Sequence, residues 1–136
     1  MSIRAIPLLL FVFLIYNVIV LIGGGDNPDA ILRHVVLPIP MLSGHVWTFS
    51  TGDLIIFALL ILLFFELLKA TYTSSTSLLD HGLSMLVFIV CLIEFLMVRQ
   101  AQTSVFFFIV VATLIDVVAG YTIGIRVARR DLSIGG

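Results

Sequence analysis

Charged residues are scarce in this sequence: they make up 11% of its 136 positions, against 61% for hydrophobic residues. Soluble domains carry about a quarter charged residues, so this composition, with a mean hydropathy of +1.26, indicates a protein surrounded by lipid. The seven Lys and Arg residues are too few for a nucleic-acid surface. Spanning segments and short connections use most of the length, so we predict a single integral membrane domain over residues 1–136.

Cysteine and histidine are also scarce, which argues against several chemistries. The single cysteine, Cys91, excludes an intramolecular disulfide or a CxxC redox pair. Two histidines, His34 and His45, share a loop with Asp26 and Asp29, but their spacing matches no metal-ligand pattern. No histidine pair suits haem, and no nucleophile motif or Gly-rich phosphate loop is present. We therefore predict no enzyme activity, no cofactor and no metal.

What the sequence has instead is four long apolar runs. The most informative covers residues 104–124 and contains one acid, Asp116, followed by the GxxxG pair Gly120 and Gly124. A carboxylate within hydrocarbon must face protein or water, and a small-residue pair lets a neighbouring helix pack closely. We predict helices at about 5–22, 53–72, 78–98 and 104–126, forming an antiparallel four-transmembrane-helix bundle.

The loop at residues 23–52 is the only long connection between these runs. Asn27 or Asp26 is a suitable N-cap for a short helix with Pro28 at its first position, ending before Pro38. Beyond it we expect an extended return along the membrane interface, with Trp47 as an anchor at headgroup level. The apolar face of the short helix predicts that it lies on the membrane surface, through Ile31, Leu32, Val35 and Val36.

Helix-start patterns explain several acids without invoking a functional site. S-x-x-D patterns at residues 50–53 and 77–80 predict capping boxes for the second and third apolar helices. The second box leaves His81 in the first helical turn, at the membrane edge, as a solvated residue. Glu66 and Lys69 are three residues apart, which predicts an ion pair with the lysine directed outward.

The distribution of basic residues predicts that both termini are cytoplasmic, in a cell membrane that we expect to be a bacterial inner membrane. The side of the termini carries five Lys or Arg residues and the opposite side two. Three of the five, Arg126, Arg129 and Arg130, follow the last apolar run as interface anchors. The remaining basic residues are Arg4 and Lys69 on the inner side, and Arg33 and Arg99 on the outer side.

The membrane-embedded polar residues are predicted to lie in two layers. Glu66 and Asp116 fall at similar depths, roughly 20 Å from the outer edge, whereas Glu94 and Asn17 fall in the outer third. These groups either fix the helix packing, paired or protonated, or form a proton or cation site, because acids outnumber the basic partners.

We therefore expect a non-catalytic subunit or scaffold of a membrane assembly, in contact with lipid and with itself or other membrane subunits. The alternative is a small oligomeric proton- or cation-coupled channel or transporter that uses these carboxylates. The sequence lacks the residues that define fluoride channels, small multidrug exporters, thiol–quinone oxidoreductases and b-type cytochrome anchors, so we infer no family resemblance. A quinone or lipid pocket has no signature that the sequence would reveal.

Overall fold

The protein is mostly helical. A computed structural model describes residues 6–72 and 77–135. In chain order the elements are α1 (Leu9–Asn17), which continues as a π-helical turn (Val18–Ile22), α2 (Pro28–Leu32), β1 (Val35–Pro40), β2 (Val46–Ser50), α3 (Thr51–Ala70), α4 (Ser77–Met97), a short 3₁₀ turn (Arg99–Ala101) and α5 (Ser104–Gly135).

Among the described residues, three helical segments are long and apolar enough to cross a membrane, and this fits a membrane protein: Thr51–Ala70, Leu79–Met97 and Ser104–Val127. The first apolar helix, Leu9–Ile22, is shorter than these. It was expected to begin near residue 5, whereas α1 begins at Leu9. The last helix was expected to end near residue 126 but continues to Gly135, and this extension includes the good helix formers Arg129, Arg130 and Leu132.

The helices pack side by side, and successive long helices run in opposite directions. α5 packs against both α3 and α4, while α1 lies mainly against α3 and α5. The core is built around Tyr16 and Phe106, whose rings meet edge to face with centroids 4.9 Å apart and are fully buried. Leu59, Cys91 and Ile109 continue this core along α3, α4 and α5. We call the two ends of this bundle the hairpin end, next to β1 and β2, and the arginine end, next to Arg126.

The first apolar helix leaves the bundle through its π-helical turn and a run of glycines. A Cβ atom on Gly23 would lie 2.7 Å from the carbonyl oxygen of Ile19, closer than side chains tolerate. Glycine therefore lets the chain turn tightly here and place Ile31 of α2 against the end of the helix. The predicted start of α2 is confirmed, because the Asn27 side chain accepts a hydrogen bond from the Ala30 N–H.

The second half of the loop corrects the prediction. α2 ends at Leu32, so Val35 and Val36 belong to β1 and do not extend an amphipathic helix. β1 pairs antiparallel with β2, so the expected extended return is a β-hairpin, with Pro38 opposite Thr48. The strand tolerates its prolines because Pro38 and Pro40 are two residues apart and therefore have the same orientation in β1. At such positions of an edge strand the backbone does not need an N–H that donates to the partner strand.

The capping box at residues 50–53 is confirmed. The Asp53 N–H donates to the Ser50 hydroxyl oxygen at 3.2 Å, and the Ser50 N–H donates back to the Asp53 carboxylate at 3.0 Å. These bonds start α3 directly after β2. The polar turn expected at residues 73–77, and the Ser77 side chain of the second predicted box, lie outside the described residues.

Candidate functional site

Most of the buried charge lies in one small cavity near the arginine end, which we call the acidic cavity. Its polar lining is Glu66 and Lys69 of α3, Asp80, His81 and Ser84 of α4, and Asp116 of α5. The cavity has a volume of about 20 Å³, which leaves room for roughly one water molecule. The helices bring these groups together because the end of α3, the start of α4 and the middle of α5 lie at the same level.

Glu66 and Lys69 form the ion pair that their spacing predicts. The Lys69 ammonium lies 3.2 Å from the Glu66 carboxylate, whose residue is only 6% exposed. The lysine is not directed outward as expected, because it also donates a hydrogen bond to the Ile6 carbonyl at 3.0 Å. The same carboxylate accepts a hydrogen bond from the Leu8 N–H at 3.0 Å. The pair therefore binds the backbone that leads into α1.

This contact has a physical reason. The first N–H groups of a helix have no partner within the helix, and a buried one is costly to leave unpaired. Pro7 has no N–H, and Leu8, which follows it, directs its own N–H to Glu66. The carboxylate of α3 thus supplies a cap that the sequence around α1 lacks, since Leu8 itself has no capping side chain.

Asp116 is the second buried carboxylate of the acidic cavity, with 6% of the residue exposed. Its carboxylate lies beside the Ser84 hydroxyl, and both Glu66 and Lys69 are close enough to act on it electrostatically. The two buried carboxylates of this cavity, Glu66 and Asp116, therefore face a single lysine, and Asp80 is a third acid in its lining. Such a site can hold a proton or a small cation between the acids, or can fix the relative positions of three helices.

His81 belongs to the same site, although the sequence analysis placed it in solvent. Its ring packs edge to face with Tyr121 of α5, with centroids 5.2 Å apart. A Cβ atom on Gly124 would lie 2.8 Å from the His81 Nε2 atom, and one on Gly120 would lie 3.6 Å from the Asp116 carboxylate. The GxxxG pair therefore faces the imidazole of α4 and leaves space for it. Only the crossing of α4 and α5 reveals this contact, since the residues are about 40 positions apart in sequence.

A second polar group lies towards the hairpin end. Asn17 donates to the Phe13 carbonyl in its own helix at 2.9 Å, and Glu94 of α4 lies close to it. Among the described residues, the Asn17 Oδ1 atom and one Glu94 carboxylate oxygen are buried without a hydrogen-bond partner. Nearby, the Tyr16 hydroxyl donates to the Gln100 carbonyl at 2.9 Å and lies 2.7 Å from the Thr103 hydroxyl. The Tyr16 contacts were not predicted, because their partners are more than 80 residues away and no local pattern indicates them.

The structure thus brings together some of the predicted polar residues and separates others. Glu66, Lys69 and Asp116 share the acidic cavity, whereas Asn17 and Glu94 lie close together towards the hairpin end. Trp47 lies in the hairpin against Phe49, with ring centroids 5.5 Å apart. The arginines extend along α5 beyond the acidic cavity, at Arg126, Arg129 and Arg130. Across residues 6–72 and 77–135, no three His, Cys, Asp or Glu side chains are grouped as a metal site.

Comparison with protein-family models, with curated proteins and with solved structures gives no match to this chain.

Proposed function

We propose that this chain is an integral membrane protein with four membrane-crossing helices, and that it acts as a non-catalytic subunit or scaffold of a membrane assembly. Its first apolar helix has about 21 Å of helical rise from Leu9 to Ile22, less than the roughly 30 Å of a hydrocarbon core. Residues 5–8 are apolar in sequence and extend the hydrophobic run towards that length. Membrane-depth backbone is tolerated where protein groups satisfy it, as Glu66 and Lys69 do for Leu8 and Ile6.

That contact is the observation that carries the scaffold role. A transport site needs charged groups that are free to bind and release an ion. Here the Glu66–Lys69 pair is committed to holding the start of α1 against the end of α3. Ser84 and Asp116 likewise connect α4 to α5. The buried charges support the assembly of the helices and leave little for ion exchange.

The separation of the two polar groups also supports this proposal. Ser84 and Glu94 are ten residues apart on α4, about 15 Å along the axis. The buried side chains between them on that helix are Val87 and Cys91, and Ile109 and Ala112 lie on the facing part of α5. Thr113 is polar, but its hydroxyl donates to the Val110 carbonyl of its own helix. The described residues thus place an apolar layer between the acidic cavity and Glu94.

A proton- or cation-coupled channel or transporter is the second candidate, and Asp116 is the observation that favours it. This carboxylate does not cap a helix, it lies across the acidic cavity from Glu66, and half-buried His81 lies at the margin of the same cavity. A path of protonatable side chains from the surface to a buried acid is the first half of a proton relay. An oligomer would have to supply the second half, past the apolar layer.

Flux into liposomes distinguishes the two candidates. We expect vesicles containing the wild type to take up protons or monovalent cations no faster than empty vesicles, at acidic or mildly alkaline pH. Asp116→Asn keeps a hydrogen-bond acceptor for Ser84, so we also expect it to remain folded. Asp29→Asn, at an exposed acid of the hairpin end, is the matched control.

A wild-type flux that Asp116→Asn abolishes, while Asp29→Asn retains it and both proteins stay folded, would replace the scaffold role with transport. Native mass spectrometry of the protein extracted from its own membrane tests the scaffold role directly. We expect additional copies or other chains bound to it; a stable monomer would contradict the proposal.

The proposed orientation places both termini in the cytoplasm and the hairpin outside, because five basic residues lie on the side of the termini. His45→Cys introduces a thiol at an exposed position of the hairpin, whereas the native Cys91 is fully buried. We expect a membrane-impermeant maleimide to label intact cells carrying His45→Cys. Labelling only after the membrane is opened would invert the orientation.

A further inference from the structure

A groove between α4 and α5 opens on the outer surface of the bundle at the arginine end. It has a volume of about 480 Å³, and its walls include Gly82 and Met85 of α4 with Val118, Tyr121 and Thr122 of α5. These walls are largely apolar and exposed; Val118 is 58% exposed and Tyr121 55%. The groove is distinct from the acidic cavity, although His81 lines both.

Gly82 leaves the α4 side of this groove open. A Cβ atom added to Gly82 would meet no heavy atom within 4 Å, so the space above it is open. The open space continues past the half-exposed Met85. An open, largely apolar groove of this volume between two helices can accommodate part of an acyl chain.

Basic residues lie just beyond the groove along α5. Arg126 and Arg129 are both exposed, four and seven residues after Thr122. At 100° per residue they fall within about 40° of Thr122 around the helix, and roughly 6 and 10 Å further along its axis. Side chains in a helix lean towards its N-terminus, so both guanidinium groups lean back towards the groove.

We propose that this groove binds an anionic phospholipid, with one acyl chain along Gly82 and Val118 and the phosphate between Arg126 and Arg129. Guanidinium groups recognise phosphate through paired charge-assisted hydrogen bonds, and basic sites at the cytoplasmic ends of transmembrane helices select anionic headgroups. The charge at the end of the groove favours this occupant over an apolar helix of a second copy. The site rests on the proposed membrane location and does not depend on the scaffold role.

Lipid titration of the detergent-solubilised protein, followed by native mass spectrometry, tests the site. The probes are phosphatidylglycerol and phosphatidylcholine with identical acyl chains. We expect the wild type to bind phosphatidylglycerol more tightly. The double variant Arg126→Gln/Arg129→Gln should bind it roughly 30-fold more weakly, with little change for phosphatidylcholine. Arg33→Gln/Arg99→Gln removes the same charge at the hairpin end and should retain the wild-type affinity.

A second variant tests the acyl-chain part of the site. Gly82→Phe places a ring in open space, so we expect normal helicity by circular dichroism and weaker binding of both lipids. Equal binding of the two lipids by the wild type, or an unchanged preference in the arginine double variant, would overturn the proposal. If Gly82→Phe instead converted a dimer into a monomer without affecting lipid binding, the groove would belong to a second copy. A failed liposome or native-assembly test of the scaffold would leave these lipid affinities unaffected.

Discussion

The buried contacts around Tyr16, towards the hairpin end, are neutral hydrogen bonds, whereas charged groups line the cavity at the arginine end. At the hairpin end Tyr16 gives its single hydroxyl proton to the Gln100 carbonyl, so Thr103 donates to Tyr16 across their 2.7 Å contact. Thr103 in turn accepts from the Phe106 N–H and starts α5. Every hydroxyl in this group has a partner, and the surrounding core is closed.

The acidic cavity differs because its charges do not balance. Glu66 and Asp116 both face Lys69, and a small volume remains between them. Neutral groups can close a contact completely, whereas two buried carboxylates beside one lysine leave one acid without a counter-charge of its own. The two ends of the bundle therefore differ in how completely their buried polar groups are paired.

The largest effect is expected from removing the lysine. Lys69→Met leaves Glu66 buried without its counter-charge and Ile6 without its donor, so we expect a loss of roughly 3–5 kcal/mol in the free energy of unfolding. Chemical unfolding in detergent measures it, with the exposed Arg33→Met as the control. The double variant Glu66→Gln/Lys69→Met should recover part of the loss. Equal stability of Lys69→Met and Arg33→Met would show that the charged pair contributes nothing.

A smaller effect is expected at the neutral end. Tyr16→Phe removes the hydroxyl that contacts Gln100 and Thr103, and we expect a loss of about 1–3 kcal/mol because the Gln100 carbonyl loses its partner. Tyr121→Phe is the matched control, since that tyrosine is more than half exposed. If the two variants unfold at the same denaturant concentration, the neutral group is not a stabilising contact and the comparison between the two ends fails.

The smallest effect on stability is expected where Gly124 of α5 lies against the His81 ring. Alanine normally gains about 1 kcal/mol over glycine inside a helix, so Gly120→Ala, with only ordinary contacts, should be neutral or stabilising. Gly124→Ala meets the imidazole and should be about 1–2 kcal/mol less stable than Gly120→Ala. Repeating both in His81→Ala should abolish the difference. A difference that persists without the imidazole would assign it to the helix backbone.

Local patterns in the sequence predicted the features that depend on neighbouring residues. The Asn27 cap, the capping box at residues 50–53 and the Glu66–Lys69 pair all form as their spacing indicates. Counting residues along the helices also placed Glu66 and Asp116 at one level, and the structure finds them in one cavity. Helical rise is regular, so depth can be counted from sequence without knowledge of packing.

Features that depend on how helices cross were not predictable in the same way. His81 was assigned to solvent because its own helix gives no sign of the space above Gly124 on α5. The hairpin was missed because Pro38 and Pro40 argue against a strand, and only a two-stranded edge position accepts them. Lys69 was expected to reach outward because its contact with Ile6 joins residues 63 positions apart.

The Glu66 contact with α1 also limits when the start of that helix can gain its partners during synthesis. The Leu8 N–H and the Ile6 carbonyl find their partners 58 and 63 residues later in the chain. During synthesis α1 emerges first, but its starting turn stays without these partners until the end of α3 has emerged. The start of the first helix can therefore gain these two contacts only after α3 has been synthesised, about halfway along the chain.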